Sequence, residues 1–204
     1  MPPEQRVTRK LRAILSADVK GYSTLGNSEL IRINRELSSW IEGTLNIKTH
    51  QLPYYIEKGG IFLKDSAFFA GIGCVGKNNI LVTPEYGPRV RLRALLIEEE
   101  FIPTGPIDFD PCNDCEEFCR KACPKNAFAK NIISIAEIGL ESLPGRTGCY
   151  SRSTCLVQLD KNDQNSGAAE DETVNLGVDV EKIGKTKQPI KSCRQCEFAC
   201  PVGK

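Results

Sequence analysis

Between residues 28 and 45, in SELIRINRELSSWIEGTL, apolar side chains recur at Leu30, Ile33, Leu37, Trp40 or Ile41, and Leu45. That spacing follows the 3.6-residue period, and Ser28 in front of it suits an N-cap, so an amphipathic helix lying over a core is predicted. Residues 10–19 alternate instead and predict a strand. KDSAFFA reads as a short helix, NILVT before Pro84 as a strand, and RVRLRALLI as a second strand, with PEYGP making the turn of a hairpin between them. On the second strand Val90, Leu92 and Ala94 face one way and Arg89, Arg91 and Arg93 the other. Such an arginine face either meets water, the commoner outcome, or meets an anionic cofactor tail or partner. PTGPIDFDP is a proline-rich linker, and DKNDQNSGAAEDETVN reads as an exposed polar loop, flexible near 160–176.

Between the short helix and the hairpin lies AGIGCVGKNN, a literal G-x-G-x-x-G at Gly71, Gly73 and Gly76, followed by Lys77. A dinucleotide loop needs a strand before the glycines and a helix after them, because the pyrophosphate rests on the helix N-terminus. Here the order is inverted, and no acidic residue ends a second strand about 20 residues on. The nicotinamide reading fails on context, which leaves close backbone approach to a ligand or tight turn packing as reasons for the glycines.

The chain has 204 residues, 40% of them hydrophobic, enough for one core or one core with a smaller satellite. Lys+Arg 27 against Asp+Glu 26 leaves a net charge of +1, so no global field draws it to nucleic acid or an anionic membrane. Neither direct nucleic-acid binding nor membrane association is expected. The N-terminus lacks a secretory pattern and no apolar run approaches a membrane span, so the expected location is cytoplasmic. In a reducing compartment ten patterned cysteines point to metal rather than to disulfides.

Two blocks carry that pattern. CNDCEEFCRKACP holds Cys112, Cys115, Cys119 and Cys123, and CRQCEFACP holds Cys193, Cys196 and Cys200; each ends in Cys-Pro. A bacterial ferredoxin run is C-x2-C-x2-C-x3-C-P, with the fourth cysteine binding the other of two clusters. Zinc also uses C-x2-C pairs, but it needs only four ligands, and the repeated Cys-Pro favours iron–sulfur. Crossed ligation assigns Cys112, Cys115, Cys119 and Cys200 to one [4Fe–4S] cluster, and Cys123, Cys193 and Cys196 to a second. The eighth ligand is Cys149 or Cys155; Cys155 is favoured because TCLVQL would open a helical turn, whereas Cys149 follows the flexible PGRTG. Cys74 is left over and reads as a small buried hydrophobe. One departure stands out: three residues separate Cys115 from Cys119 where the common run has two. His50, the one histidine, reads as ordinary surface.

With these residues in place the chain resembles the iron–sulfur, cobalamin-dependent reductases related to epoxyqueuosine reductase, which share a ferredoxin-like module with reductive dehalogenases. AGIGCVGKNNILVTPEYGPRVRL is similar to that family's glycine-rich segment and following strands, the two Cys-Pro blocks to its double-cluster module, and YSRSTCLVQLD to the segment supplying the lone ligand. The resemblance spans roughly Leu52 to Lys204 and implies a flavin-reductase-like α/β domain holding base-off cobalamin near a cluster. In that setting Gly71, Gly73, Gly76 and Lys77 are the cofactor-binding candidates. The family's tryptophan in this segment is Cys74 here, its cobalamin domain has a longer N-terminal portion, and Glu57 is the one acid in the stretch upstream of the glycines. TRKLRAILSADVKGYSTL separately resembles the opening of class III nucleotidyl cyclases, with Asp18 at the first metal-binding aspartate, but no second carboxylate follows to complete a two-metal site.

The expected fold is therefore α+β: residues 1–102 form a small, incomplete, flavin-reductase-like α/β domain whose first 25 residues are a cyclase-like strand remnant, and residues 103–204 form a ferredoxin-like domain with two [4Fe–4S] clusters. The expected function is an iron–sulfur oxidoreductase that relays single electrons to a cofactor, cobalamin being the candidate, or to a substrate, with a redox partner protein or low-potential donor feeding it. The alternative is a non-catalytic ferredoxin-like electron carrier or redox subunit.

Overall fold

The computed structural model describes residues 10–16, 27–100, 102, 104–139, 143–164 and 193–203. Asp18 and most of the predicted 160–176 loop lie outside them; residues 160–164 are the end of a helix.

Strand β5 (Arg91–Ile97) organises the first half. It pairs antiparallel with β1 (Lys10–Ser16) on one side and β2 (Thr49–Gln51) on the other, giving the order β1-β5-β2. Alternation along β5 then assigns its two faces. Leu95 and Ile97 pack with Ile41, and with Leu37 and Ile47 at the margin, beneath helix α1 (Asn27–Leu45). Val90 and Leu92 pack on the other face with Ala67 of helix α2 (Leu63–Phe69) and with Leu81. Leu95 has no exposed surface, and burying such a side chain stabilises the fold by about 1.5–3 kcal/mol.

Helix α1 forms where predicted, but its buried stripe runs through Leu30, Asn34, Ser38 and Ile41, leaving Trp40 and Leu45 exposed. The rotation has a polar cause. Ser38 Oγ hydrogen-bonds Thr49 Oγ1, and Glu42 Oε1 accepts the Thr49 N–H at 3.0 Å and its hydroxyl at 2.9 Å, so α1 is fastened to β2 by hydroxyl and carboxylate groups. His50 is exposed and sits 2.9 Å from Glu98, as an ordinary surface residue would.

The predicted hairpin forms only at its turn. Thr83 and Gly87 exchange both backbone hydrogen bonds at 2.9 Å, but the flanking strands then part. Strand β4 (Leu81–Val82) pairs with β3 (Cys74–Val75) in a separate two-stranded sheet, while β5 leaves for the first sheet. Pro88 at the exit has no N–H to continue a ladder. The second half is built of short helices and loops: α3 (Phe118–Lys121), α4 (Ile135–Ile138), α5 (Arg152–Gln164) and α6 (Gln195–Ala199). α3 packs against α6. No helix among the described residues is long and apolar enough to cross a membrane.

Candidate functional site

The first cysteine block begins with a side-chain cap. Asp110 Oδ1 accepts the Cys112 N–H at 3.1 Å, and the Arg146 guanidinium holds both oxygens of the same carboxylate. Arg146 keeps Asp110 below the usual aspartate range. The extra residue between Cys115 and Cys119 is absorbed at Glu117, which takes the left-handed conformation (φ 58°, ψ 37°) and starts α3. For a residue with a Cβ that conformation costs about 1–2 kcal/mol. Glu117 Oε1 lies 3.2 Å from Lys77 Nζ and Oε2 lies 3.5 Å from Arg120 Nη1; half-exposed pairs of this kind return at most about 1 kcal/mol each.

Arg120 joins the block to its surroundings. Its Nε donates to the Lys77 carbonyl at 2.9 Å, and Nη2 donates to the Gly145 carbonyl at 2.6 Å and to Thr147 Oγ1 at 2.8 Å. One guanidinium thus ties α3 to the end of the glycine-rich stretch and to residues 145–147. Sequence reading missed Arg120 and Arg146, since their partners lie far along the chain.

The last block is held by the arginines of the β5 region. Arg89 donates to the carbonyls of Glu197 (3.4 Å), which also accepts the Cys200 N–H at the end of α6, and of Cys200 (3.3 Å) and Val202 just beyond the helix. Arg194 pairs with Glu197 at 2.9 Å with both side chains buried, and Arg91 reaches the same carboxylate at 3.4 Å. Arg93 is buried, its guanidinium 4.8 Å from the Tyr54 ring centroid. The expectation of a solvated or cofactor-facing arginine row is therefore corrected: Arg89 and Arg91 grip the second cysteine block, and Arg93 is core. Close backbone approach seats the block, since a Cβ at Gly87 would collide with the Val202 carbonyl and one at Gly203 with Tyr86 and Gly87.

Four thiols meet as a result. Cys112, Cys115, Cys119 and Cys200 line one small cavity together with Lys77 and Glu117. Burial, then the nearness of Cys112, Cys200 and Cys115, pushes the Cys119 thiol up to about 11. Cys196 is pushed up to about 12 by burial, then by Glu197, Cys119, Cys193 and Cys155, so a second thiol group adjoins the first through Cys119. Cys155 lies in the first turn of α5, its N–H donating to the Ser151 carbonyl at 3.1 Å, whereas the Cys149 thiol is turned to the Thr147 carbonyl at 3.6 Å. Cys123 Sγ accepts the Ala127 N–H at 3.3 Å, and the Ala127 carbonyl accepts the Ser151 N–H at 2.8 Å, one turn before Cys155.

This donor set fits iron–sulfur chemistry. The groups are thiols, several of them buried, and the backbone N–H of Ala127 is directed at the sulfur of Cys123. Among the described residues no three Cys, His, Asp or Glu side chains close around a position for a single metal ion. A cubane differs in giving each thiolate its own iron.

The glycines need no ligand to explain them. A Cβ at Gly73 would strike the Val82 carbonyl, one at Gly76 would lie 2.7 Å from Val82 Cγ2, and one at Gly71 would lie 2.5 Å from the Gly105 carbonyl oxygen. Lys77, which closes the stretch, lines the cysteine cavity and is tied to its surroundings through its carbonyl and ammonium. Cys74, read as a small buried hydrophobe, is buried at the start of β3 and pairs there with Val82.

No family model matches the chain. It is 41% identical over 135 residues to the epoxyqueuosine reductase of Bacillus anthracis, a match covering 66% of this chain and 28% of that protein. It is 35% identical over 63 residues to the tetrachloroethene reductive dehalogenase of Sulfurospirillum multivorans, covering 30% of this chain and 13% of that protein. The chain thus spans little more than a quarter of the length of such relatives. A solved structure of epoxyqueuosine reductase with an epoxyqueuosine-modified tRNA stem loop superposes with a TM-score of 0.56 at 21% identity, over 98% of this chain and 44% of that one. The likenesses support the resemblance to epoxyqueuosine reductases and a mixed helix-and-strand fold. The tRNA stem loop belongs to that neighbour, and at 21% identity the likeness shows the fold alone.

Proposed function

We propose that the chain is the cluster-bearing part of an iron–sulfur reductase similar to epoxyqueuosine reductase, in which Cys112, Cys115, Cys119 and Cys200 hold one [4Fe–4S] cluster and Cys123, Cys155, Cys193 and Cys196 hold the other. The observation that carries the reading is the meeting of Cys112, Cys115, Cys119 and Cys200 on one cavity, with Cys155, Cys193 and Cys196 grouped around the neighbouring side of Cys119. When bound, such clusters supply one-electron transfer at potentials set by burial and by hydrogen bonds to sulfur. The protein's own contribution is positional. Asp110 and Arg146 fix the entry to the first block, Glu117 supplies its bend, and Arg89 holds Cys200 in reach by its carbonyl. Burial of Cys112, Cys119 and Cys200 keeps water from that side of the cavity.

Cobalamin is the proposed acceptor beyond the clusters, with residues 71–77 as the approach, and epoxyqueuosine in tRNA is the substrate class that the sequence relatives suggest. The test is anaerobic reconstitution, with iron and sulfide quantified and the ultraviolet–visible spectrum recorded before and after cob(II)alamin. About eight irons per chain with a shift of the corrin bands is the expected result. Eight irons with no corrinoid response would reduce the chain to an electron carrier, and zinc in place of iron would overturn the reading.

A further inference from the structure

Besides its four thiols, the cavity is lined by two charged side chains, the Lys77 ammonium and the Glu117 carboxylate, which lie 3.2 Å apart. Lys77 is the more withdrawn, with 19% of its side chain exposed against 38% for Glu117. Its backbone is held on several sides. The Gly76 N–H donates to the Ile80 carbonyl and the Asn79 N–H to the Gly76 carbonyl, both at 2.9 Å, so Lys77 sits inside a closed turn. Helix α2 grips that turn, since Lys64 Nζ donates to the Asn79 carbonyl at 2.7 Å and to Asn79 Oδ1 at 3.0 Å. Arg120 holds the Lys77 carbonyl from the cysteine side. The cation is therefore carried into the cavity wall by an anchored turn, where a lysine serving solubility would extend into water.

Charge gives this placement a sign. A cubane on four thiolates is a net negative group, and each electron added makes it more so. A cation at its wall stabilises the reduced form more than the oxidised one, and a carboxylate does the reverse. Glu117 does not cancel the Lys77 charge outright, because Arg120 Nη1 lies 3.5 Å from its other oxygen. Two cations to one carboxylate leave a net positive charge beside the thiols.

We propose, resting on the two-cluster reading above, that Lys77 is a charge-tuning residue of the first cluster: its ammonium offsets the negative charge gathered by Cys112, Cys115, Cys119 and Cys200 and raises that cluster's reduction potential, while Glu117 moderates the effect by pairing with it. The experiment uses the full chain, reconstituted anaerobically, with midpoint potentials read by dithionite titration followed by electron paramagnetic resonance. Each reduction adds one electron from dithionite to one cluster and breaks no bond. Wild type is assayed first for iron; a wild type without about eight irons sinks the two-cluster reading itself and is thereby distinguished from a failure of this proposal. With iron unchanged, Lys77→Met and Lys77→Gln each shift one cluster to lower potential and leave the other in place. Lys77→Arg, which keeps the charge, stays nearer wild type, and Glu117→Gln moves the same cluster the opposite way. Identical potentials in wild type and the uncharged Lys77 variants overturn the proposal. So does an equal shift in the arginine and methionine variants, which would assign the effect to fit, and so does loss of iron from all three Lys77 variants, which would make the residue a structural support. If the uncharged variants alone fail to load, Glu117→Gln decides: a raised potential upholds the proposal, and an unmoved or lowered one overturns it.

Discussion

Lys77 Nζ lies 3.2 Å from Glu117 Oε1, so the residue that ends the glycine-rich stretch is paired with the residue that gives the first cysteine block its additional length. The pair links the two sequence signals, glycines and cysteines, that looked independent along the chain. It also explains how a left-handed, non-glycine residue is tolerated beside the cavity.

Glu117 therefore offers a clean separation of backbone from charge. Glu117→Gly removes the conformational cost and should leave iron content intact while apoprotein stability stays level or rises. Glu117→Val should lose about 1–3 kcal/mol and reconstitute poorly, since a β-branched residue resists positive φ. Denaturation midpoints and iron analysis on the two variants check this; a harmless valine would mean that the wrap does not depend on this bend.

Arg89 should act on one cluster and not the other. Its guanidinium holds carbonyls on both sides of Cys200, and hydrogen bonds from a charged donor are worth about 1.5–3 kcal/mol. Arg89→Gln is expected to lower reconstituted iron from about eight toward about four per chain, with Arg89→Lys intermediate. Equal loss from both clusters would show that the arginine supports the whole module rather than the seat of Cys200.

Cys149 and Cys155 are told apart by serine. Cys155→Ser should disturb the spectrum and potential of the second cluster, because Cys155 lies close enough to Cys196 to raise its pKa, while Cys149→Ser should leave both unchanged. The reverse pattern would reassign the eighth ligand.

The Asp110–Arg146 pair makes the apoprotein acid-sensitive in a definite sense. The Asp110 pKa is depressed in the folded chain, first by its hydrogen bond from Arg146, so its stabilising effect is fully present above the ordinary value of 3.8 and is lost as pH falls through the lower folded value. Asp110→Asn should flatten the acid limb of thermal stability below about pH 4 and leave the neutral plateau only slightly lowered. A wild-type acid limb retained in the variant would remove Asp110 from the account.

Local chemistry was legible in the sequence, and long-range pairing was not. The two Cys-Pro blocks announce themselves because their geometry is set by spacing over a few residues, and the α1 and β5 patterns because burial repeats with helix or strand period. The partner of a strand face is another matter. Arg89 and Arg91 alternate like any solvated row, and nothing nearby reveals that their acceptors lie more than a hundred positions away. The same holds for Asn34 and Ser38, polar residues buried on α1: Ser38 answers to Thr49 on the next strand. The hairpin failed for a related reason, since a turn fixes its own two ends but not the company that each strand keeps afterwards.

The seating of residues 193–203 on the Thr83–Gly87 turn and Arg89 has a temporal side. Contacts between segments so far apart carry the largest loop-closure entropy and are made late on the way to the native state. Without them the cavity lined by Cys112, Cys115 and Cys119 lacks the side that Cys200 supplies. The fourth wall of the thiol cavity is thus set by contacts between residues more than a hundred positions apart in the sequence.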